Sequence, residues 1–238
     1  MCGRVTLKTT REEIEEFLGI SLPEPLPPRY NIAPTQPLFV ARRIGAQPAE
    51  LKPMRWGLSP FTQASGAPSC IINVRSETAA QKASFKNSYK QRRCVIPVDG
   101  FYEWKGAGKK KQPFHIRPRG AKLFALAGIW EAQRGAAYIS GPGAADTCAI
   151  LTIEANELLA PMHNRMPLIL EPKDFELWMN PEVQDPAELQ PLLRSYPSEK
   201  METVPVGTWV NSALNEGEKC LEPAKRDLSL PEKTLWDL

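Results

Sequence analysis

The sequence predicts an α+β domain, a curved and largely antiparallel β-sheet or open barrel with peripheral helices. Three observations carry that reading. Short runs rich in β-branched and aromatic residues follow one another from Leu38 to Ile153, split by glycine, proline or basic turns. Helical periodicity is confined to brief stretches near the two ends and around Ser76. The length of 238 residues, with 42% hydrophobic residues and a mean hydropathy of -0.35, suits one domain with a large core.

Thr10-Arg11-Glu12-Glu13 has the capping-box pattern, and Ile14, Phe17 and Leu18 then share one face before Gly19, so a helix is expected over 11–18. Pro23, Pro25, Pro27, Pro28, Pro34 and Pro37 exclude regular helix from Ser21 to Pro37. Arg29-Tyr30-Asn31-Ile32-Ala33-Pro34 therefore reads as a fixed irregular loop carrying polar side chains. Strands are expected at Leu38–Arg42, Met54–Leu58, Cys70–Asn73, Cys94–Val98, Phe101–Lys105, Pro113–Arg117, Leu123–Trp130, Cys148–Ile153 and Leu168–Leu170. Ser76–Ser84 reads as a helix and Lys105–Lys109 as a hairpin turn. Later helices are expected at Glu154–Leu159, at Lys173–Met179 after Pro172, and at Ala187–Arg194.

Composition narrows the function. No apolar run approaches the ~18 residues of a membrane span, and Thr9–Glu16 is polar and acidic, unlike a secretory leader. The expectation is a cytoplasmic protein. Cys2, Cys70, Cys94, Cys148 and Cys220 are odd in number and form no CxxC, which argues against a disulfide framework. That only His115 and His163 are available argues against a histidine-rich zinc site, and no metal or cofactor is expected. Cys70, Cys94 and Cys148 sit among apolar residues and read as buried. The first 150 residues hold 22 of the 30 Lys and Arg but 11 of the 27 Asp and Glu. Arg42, Arg43, Lys86, Lys90, Arg92, Arg93, Lys109, Lys110, Lys111, Arg117 and Arg119 would make a dispersed basic surface. Such a surface suits a groove that tracks phosphates; a solvated basic face is the alternative.

Several stretches carry side chains with chemistry to offer. If Met1 is removed from Met1-Cys2-Gly3-Arg4, Cys2 presents an α-amine and a thiol on adjacent carbons, titrating near ~8 and ~8.5 before tuning. Together they can close on an aldehyde as a five-membered thiazolidine; otherwise Cys2 is simply a small residue after the initiator. Phe101-Tyr102-Glu103-Trp104-Lys105 alternates, placing Phe101, Glu103 and Lys105 on one face. Glu103 is a candidate general acid/base, with an exposed edge-strand glutamate as the alternative. Pro161-Met162-His163-Asn164-Arg165-Met166-Pro167 holds His163 between prolines on a short connection, while His115 inside a strand reads as structural. In Asn73-Val74-Arg75-Ser76-Glu77-Thr78, Asn73 offers a donor and an acceptor and Arg75 can fork onto a phosphate, or the segment merely caps a helix.

Taken together and in order, Met1-Cys2-Gly3-Arg4, Arg29-Tyr30-Asn31-Ile32-Ala33-Pro34, Trp56-Gly57-Leu58, Asn73-Val74-Arg75-Ser76-Glu77-Thr78, Gly100-Phe101-Tyr102-Glu103-Trp104-Lys105 and Met162-His163-Asn164-Arg165-Met166-Pro167 resemble the SOS response-associated peptidase (SRAP) family. The likeness ends in Val210-Asn211-Ser212, giving an SRAP domain over 1–222 and a C-terminal tail over 223–238. The resemblance implies the SRAP fold and a DNA-damage function. SRAP proteins lose the initiator methionine by autoproteolysis and crosslink the exposed cysteine to abasic sites in single-stranded DNA, shielding them. Carried onto this sequence, it implies Cys2 as nucleophile, Asn73 as its orienting residue, Glu103 as general acid/base and His163 as an aid to proton transfer at the sugar. Arg4, Asn31, Trp56, Arg75 and Trp104 are the implied DNA contacts. The implied partner is single-stranded DNA with abasic sites, met by a monomer without a membrane. Arg4 and the basic surface are expected to lower the thiol pKa.

The sequence departs from the family where Phe61-Thr62-Gln63 replaces tryptophan, where Ala83 replaces a basic residue, and where Asn215-Glu216 stands for Asn-Asp. Two other readings stay open. Met-Cys-Gly also begins N-terminal-nucleophile amidohydrolases, although the downstream Asn-Gly and Gly-Asp signatures of an oxyanion hole have no matching set here. A non-catalytic single-strand binder would use the same basic face.

Overall fold

The computed structural model describes residues 2–22, 26–58, 70–106, 111–132 and 146–224. Along the chain run β1 (Val5–Leu7), α1 (Arg11–Leu18), β2 (Arg29–Ile32), β3 (Pro37–Arg42), β4 (Glu50–Trp56), β5 (Asn73–Arg75), α2 (Ser76–Ala79), α3 (Lys86–Gln91), β6 (Arg93–Val98), β7 (Gly100–Lys105), β8 (Gln112–Pro118), β9 (Phe124–Glu131), β10 (Thr147–Glu154), β11 (Arg165–Pro167), β12 (Ile169–Leu170), α4 (Phe175–Met179), α5 (Pro186–Leu189) and β13 (Met201–Pro205). The class is α+β, as expected.

One sheet, in the order β13-β8-β7-β1-β2, is antiparallel throughout. In the other, β4, β3, β6, β9 and β10 pair in turn and β10 returns to β4, so the sheet closes into a barrel instead of staying open. The closing contact is parallel and consists only of Thr147↔Arg55 and Cys148↔Trp56. A pairing that brief between segments so far apart leaves no periodicity to read. β6, β9 and β10 are buried along nearly their whole length, which explains their continuous apolar runs.

β7 follows the predicted alternation. Phe101 points into the main core, where its ring meets Phe124 edge-on at 6.5 Å. Tyr102 and Trp104 join Tyr30, Val206, Val210 and Cys220 on the opposite face. The antiparallel sheet is therefore covered on both sides, and Glu103 is buried with it.

Helix α1 forms as its caps dictate. The Thr10 hydroxyl accepts from the Glu13 amide, the Glu13 carboxylate accepts from the Thr10 amide, and the helix ends at Gly19 with φ 65, a conformation other residues adopt only under strain. The helix expected over 173–179 forms with its first residues in a 3-10 turn. That over 187–194 breaks into α5 and a 3-10 turn at Gln190-Pro191, because proline has no amide to continue it.

Other expectations are corrected. Arg29–Ile32 is a strand paired with β1, not a loop, since the proline density that excludes helix is compatible with extended backbone. Glu154 ends β10 and no helix follows; Asn156 instead closes a turn, accepting from Leu159 N at its side chain and from Ala160 N at its backbone. Over 76–84 only α2 is helical. Cys70 is exposed, unlike Cys94 and Cys148, because it lies before the Leu58↔Ile71 bridge and not within a strand. Most of the Lys105–Lys109 turn, the Phe61-Thr62-Gln63 segment and all but the first residues of the tail lie outside the described residues.

Two buried polar groups anchor the frame. Arg93 is 2% exposed and donates to the carbonyls of Tyr89, Lys90, Trp178, Asn180 and Val183, tying α3 and α4 to β6 while burial draws its pKa down to about 10. His115 on β8 faces β1. The Thr6 hydroxyl donates to Asp99 at 2.5 Å, and its oxygen lies 3.2 Å from His115 Nε2. A Cβ at Gly100 would stand 1.8 Å from that nitrogen, so only glycine fits there.

Burial lowers the His115 pKa from its ordinary 6.5 to about 4, against the opposing pull of Asp99 and with the help of Arg117 and Lys8. The folded value lies below the unfolded one, so the unfolded chain takes up the proton first. Stability is therefore expected to be full above pH 6.5 and to fall by about 3 kcal/mol as pH drops toward 4. Urea midpoints between pH 7 and about 5, where carboxylates are still ionised, check this; a flat profile across that window would contradict it.

Candidate functional site

The segment that leads into β1 meets the start of β5 at Cys2. β1 lies between β2 and β7 with Val5 opposite Phe101, and Tyr102 N donates to Arg4 O at 2.9 Å. Carried two residues further, that antiparallel register sets Glu103 beside the residues next to Cys2. Asn73 opens β5, which runs parallel to β10, and its Nδ2 donates to Cys2 O at 2.8 Å. Asn73 Oδ1 is buried and accepts no hydrogen bond among the described residues. His163 stands in the turn between β10 and β11, its amide donating to Leu159 O at 3.0 Å.

Electrostatic coupling ties Glu103 to both Cys2 and His163. Burial pushes the Cys2 thiol far up, and the Glu103 carboxylate pushes it the same way. Arg4 does pull the thiol down, through a backbone hydrogen bond and not its charge, but burial and Glu103 outweigh it and the expected net lowering is reversed. Cys2 is fully buried, while the Arg4 guanidinium turns away to Asn31 Oδ1 at 2.5 Å and Val210 O at 2.8 Å. The thiol is protonated at neutral pH and needs a base before it can act. Burial lowers the His163 pKa, with Glu103 opposing, so its ring is neutral at the same pH. Glu103 is 6% exposed, contrary to the edge-strand alternative.

The residues expected to touch DNA divide. Arg75 is exposed at the end of β5. Trp104 is half-buried, with its Nε1 donating to Asn211 Oδ1 at 2.8 Å and the Arg4 guanidinium 5.6 Å from its ring centroid. Asn31 and Trp56 are both 0% exposed and have no surface to offer a strand in this structure. Asn31 donates to the carbonyls of Ser212 and Asn215, and Trp56 donates to Ile72 O at 2.9 Å, bracing the backbone just before Asn73. Their motif positions reflect support of the site, which burial hides from a sequence reading. Asn211 and Glu216 find work of the same kind; Glu216 accepts from Arg29 Nε and Tyr30 N.

The basic surface is smaller than the sequence suggests. Arg42 pairs with Glu50 and Asp146, Arg43 with Glu176, Arg92 with Glu131 and Arg117 with Glu202, while Arg93 is buried. Among the described residues of that half, Arg75, Lys82, Lys86, Lys111 and Arg119 are exposed, as are Lys52 and Lys122, which pair with Glu50 and Glu13. Glu77 and Arg165, to which the sequence assigned no role, join in a two-pronged ion pair at 2.7 Å on each prong. Opposite charges in two motifs that each carry a site residue were the available signal. Among the described residues no group of His, Cys, Asp or Glu is arranged to hold a metal, and no helix is long and apolar enough to cross a membrane.

Comparison with known proteins gives a consistent result. Residues 1–213 match the family described as SOS response associated peptidase (SRAP). The chain is 37% identical over 230 residues to the abasic site processing protein YoqW of Bacillus subtilis, covering 93% of this chain and 99% of that one. It is 32% identical to the abasic site processing protein YedK of Escherichia coli, covering 94% and 100%. Against the abasic site processing protein HMCES of Gallus gallus the identity is 33%, covering 87% of this chain and 68% of that one. Among solved structures, a protein from Bacteroides thetaiotaomicron superposes with a TM-score of 0.79 at 22% identity over 94% of this chain and all of that one, a likeness of fold.

Proposed function

The chain belongs to the SOS response associated peptidase family, and from that premise we propose that it processes abasic sites in single-stranded DNA by crosslinking them to its own Cys2. The observation that carries the reading is the Asn73 hydrogen bond to the Cys2 carbonyl, together with the pull of the Glu103 carboxylate on the charge of both Cys2 and His163, from segments scattered over the chain. The names of the relatives supply the substrate class.

In this proposal Met1 is removed first, with Glu103 as base: either an activated water hydrolyses the Met1–Cys2 amide, or the Cys2 thiol takes the methionyl group as a thioester, freeing the α-amine, and water then hydrolyses that thioester to release methionine and restore the thiol. The freed α-amine then adds to the C1′ aldehyde of the ring-opened sugar, which Glu103 as an acid promotes by protonating the ring oxygen. Loss of water, aided by His163, gives an imine. The Cys2 thiol adds to the imine carbon while its proton passes through Glu103 to the nitrogen, closing a thiazolidine; one water leaves overall. Ring closure consumes the imine that would promote strand scission by β-elimination, and so protects the site. Asn73 supports the geometry by fixing the Cys2 carbonyl, and its open Oδ1 suits a donor such as the α-amine. Arg75, with Arg4 and Trp104 near the lesion, would hold the strand.

Incubation with abasic and intact oligonucleotides, followed by a denaturing gel, tests this directly. A covalent band that requires the lesion is expected. A band absent with both, alongside salt-sensitive retention of intact strands, would leave only single-strand binding, and glutamine hydrolysis without any band would favour an amidohydrolase.

A further inference from the structure

The Glu77–Arg165 pair does more than join two surface elements. Arg165 Nη1 and Nη2 donate to Glu77 Oε1 and Oε2 at 2.7 Å each, and Nη2 also donates to Thr152 O at 2.5 Å. Thr152 is fully buried, so the guanidinium plane is fixed on both prongs and against a rigid strand. Burial works to raise the Glu77 carboxyl, but the Arg165 pair, helped by the Glu77 amide and the charge of Arg75, holds it below the ordinary range. The pair also bridges the site. Glu77 lies in α2, directly after the strand that carries Asn73, and Arg165 lies in β11, directly after the turn that carries His163, with β10 between them.

The backbone amide of Arg165 donates to His163 Nδ1 at 2.9 Å. An Nδ1 that accepts a hydrogen bond has no proton in the neutral ring, so the proton sits on Nε2. We propose that the Glu77–Arg165 clamp is a positioning device that locks His163 in the Nε2–H tautomer, making it a hydrogen-bond donor toward the oxygen leaving the sugar and not a base. The functional half of this statement rests on the crosslinking reading; the tautomer half does not. A clamped β11 holds the Arg165 amide on Nδ1, and releasing the clamp frees the turn to sample the other tautomer.

The chain has 2 histidines, so long-range proton–nitrogen spectra of the labelled full chain resolve each ring. Wild type is expected to show His163 with bare Nδ1 and protonated Nε2. Glu77→Ala, at a half-exposed position, should shift His163 toward a mixture of tautomers and leave His115 unchanged. Arg165→Lys, which keeps the charge but not the fork, should do the same. Crosslinking in both variants should slow roughly ten- to a hundredfold with an altered pH profile. An unchanged His163 tautomer in both folded variants would overturn the proposal, even if crosslinking fell. Should wild type form no crosslink at all, the functional reading fails on its own while the spectra still decide the clamp.

Discussion

Cys2→Ala is expected to abolish the lesion-dependent covalent band, a loss of more than about a thousandfold, while salt-sensitive binding of intact single strands persists. The substitution removes one sulfur from a fully buried position and leaves the Cys2 carbonyl available to Asn73 Nδ2, so the site keeps its shape. It also leaves untouched the exposed cations that would meet phosphates. In protein already freed of Met1, only the trap for the imine disappears. An undiminished band would reject Cys2 as the nucleophile. Cys2→Ser is a useful companion, because its α-amine still forms an imine that borohydride fixes.

Glu103→Gln is expected to slow both Met1 removal and crosslinking by about a hundredfold. Gln has the same shape, so the buried strand should tolerate it. The sign of the electrostatics makes this variant informative. Glu103 pushes the Cys2 thiol pKa up, so removing its charge raises the thiolate fraction at any given pH. If Glu103 acted through its field alone, the variant would be faster. A slower variant therefore reports lost proton transfer. Intact mass spectra of freshly made protein would show Met1 retained; normal removal would confine Glu103 to the DNA step.

The α+β class was legible in the strand pattern, and Cys2, Asn73, Glu103 and His163 each stand in a segment whose residue types suggested chemistry; Asn73 hydrogen-bonds the Cys2 carbonyl, and Glu103 acts on the charge of both Cys2 and His163. Local signals also held where the physics is local. The Thr10–Glu13 box and the Gly19 stop define α1, and the alternation of β7 sends Phe101 and Tyr102 to opposite faces. What failed depends on distant partners. Barrel closure rests on the contact of β10 with β4, and the strand Arg29–Ile32 exists because β1 lies beside it. Burial was the other blind spot. It turned Asn31 and Trp56 from expected DNA contacts into braces and reversed the shift of the Cys2 thiol. It also withdrew much of an apparent basic surface into internal ion pairs.

The central step is capture of a sugar aldehyde by a 1,2-aminothiol, and the intact mass of the adduct with an abasic oligonucleotide tests that most directly. The expected mass is that of the chain without Met1, plus the oligonucleotide, minus one water, and it should not change on treatment with borohydride. An adduct that retains Met1, or one that gains hydride and so reveals an open imine, would contradict the account.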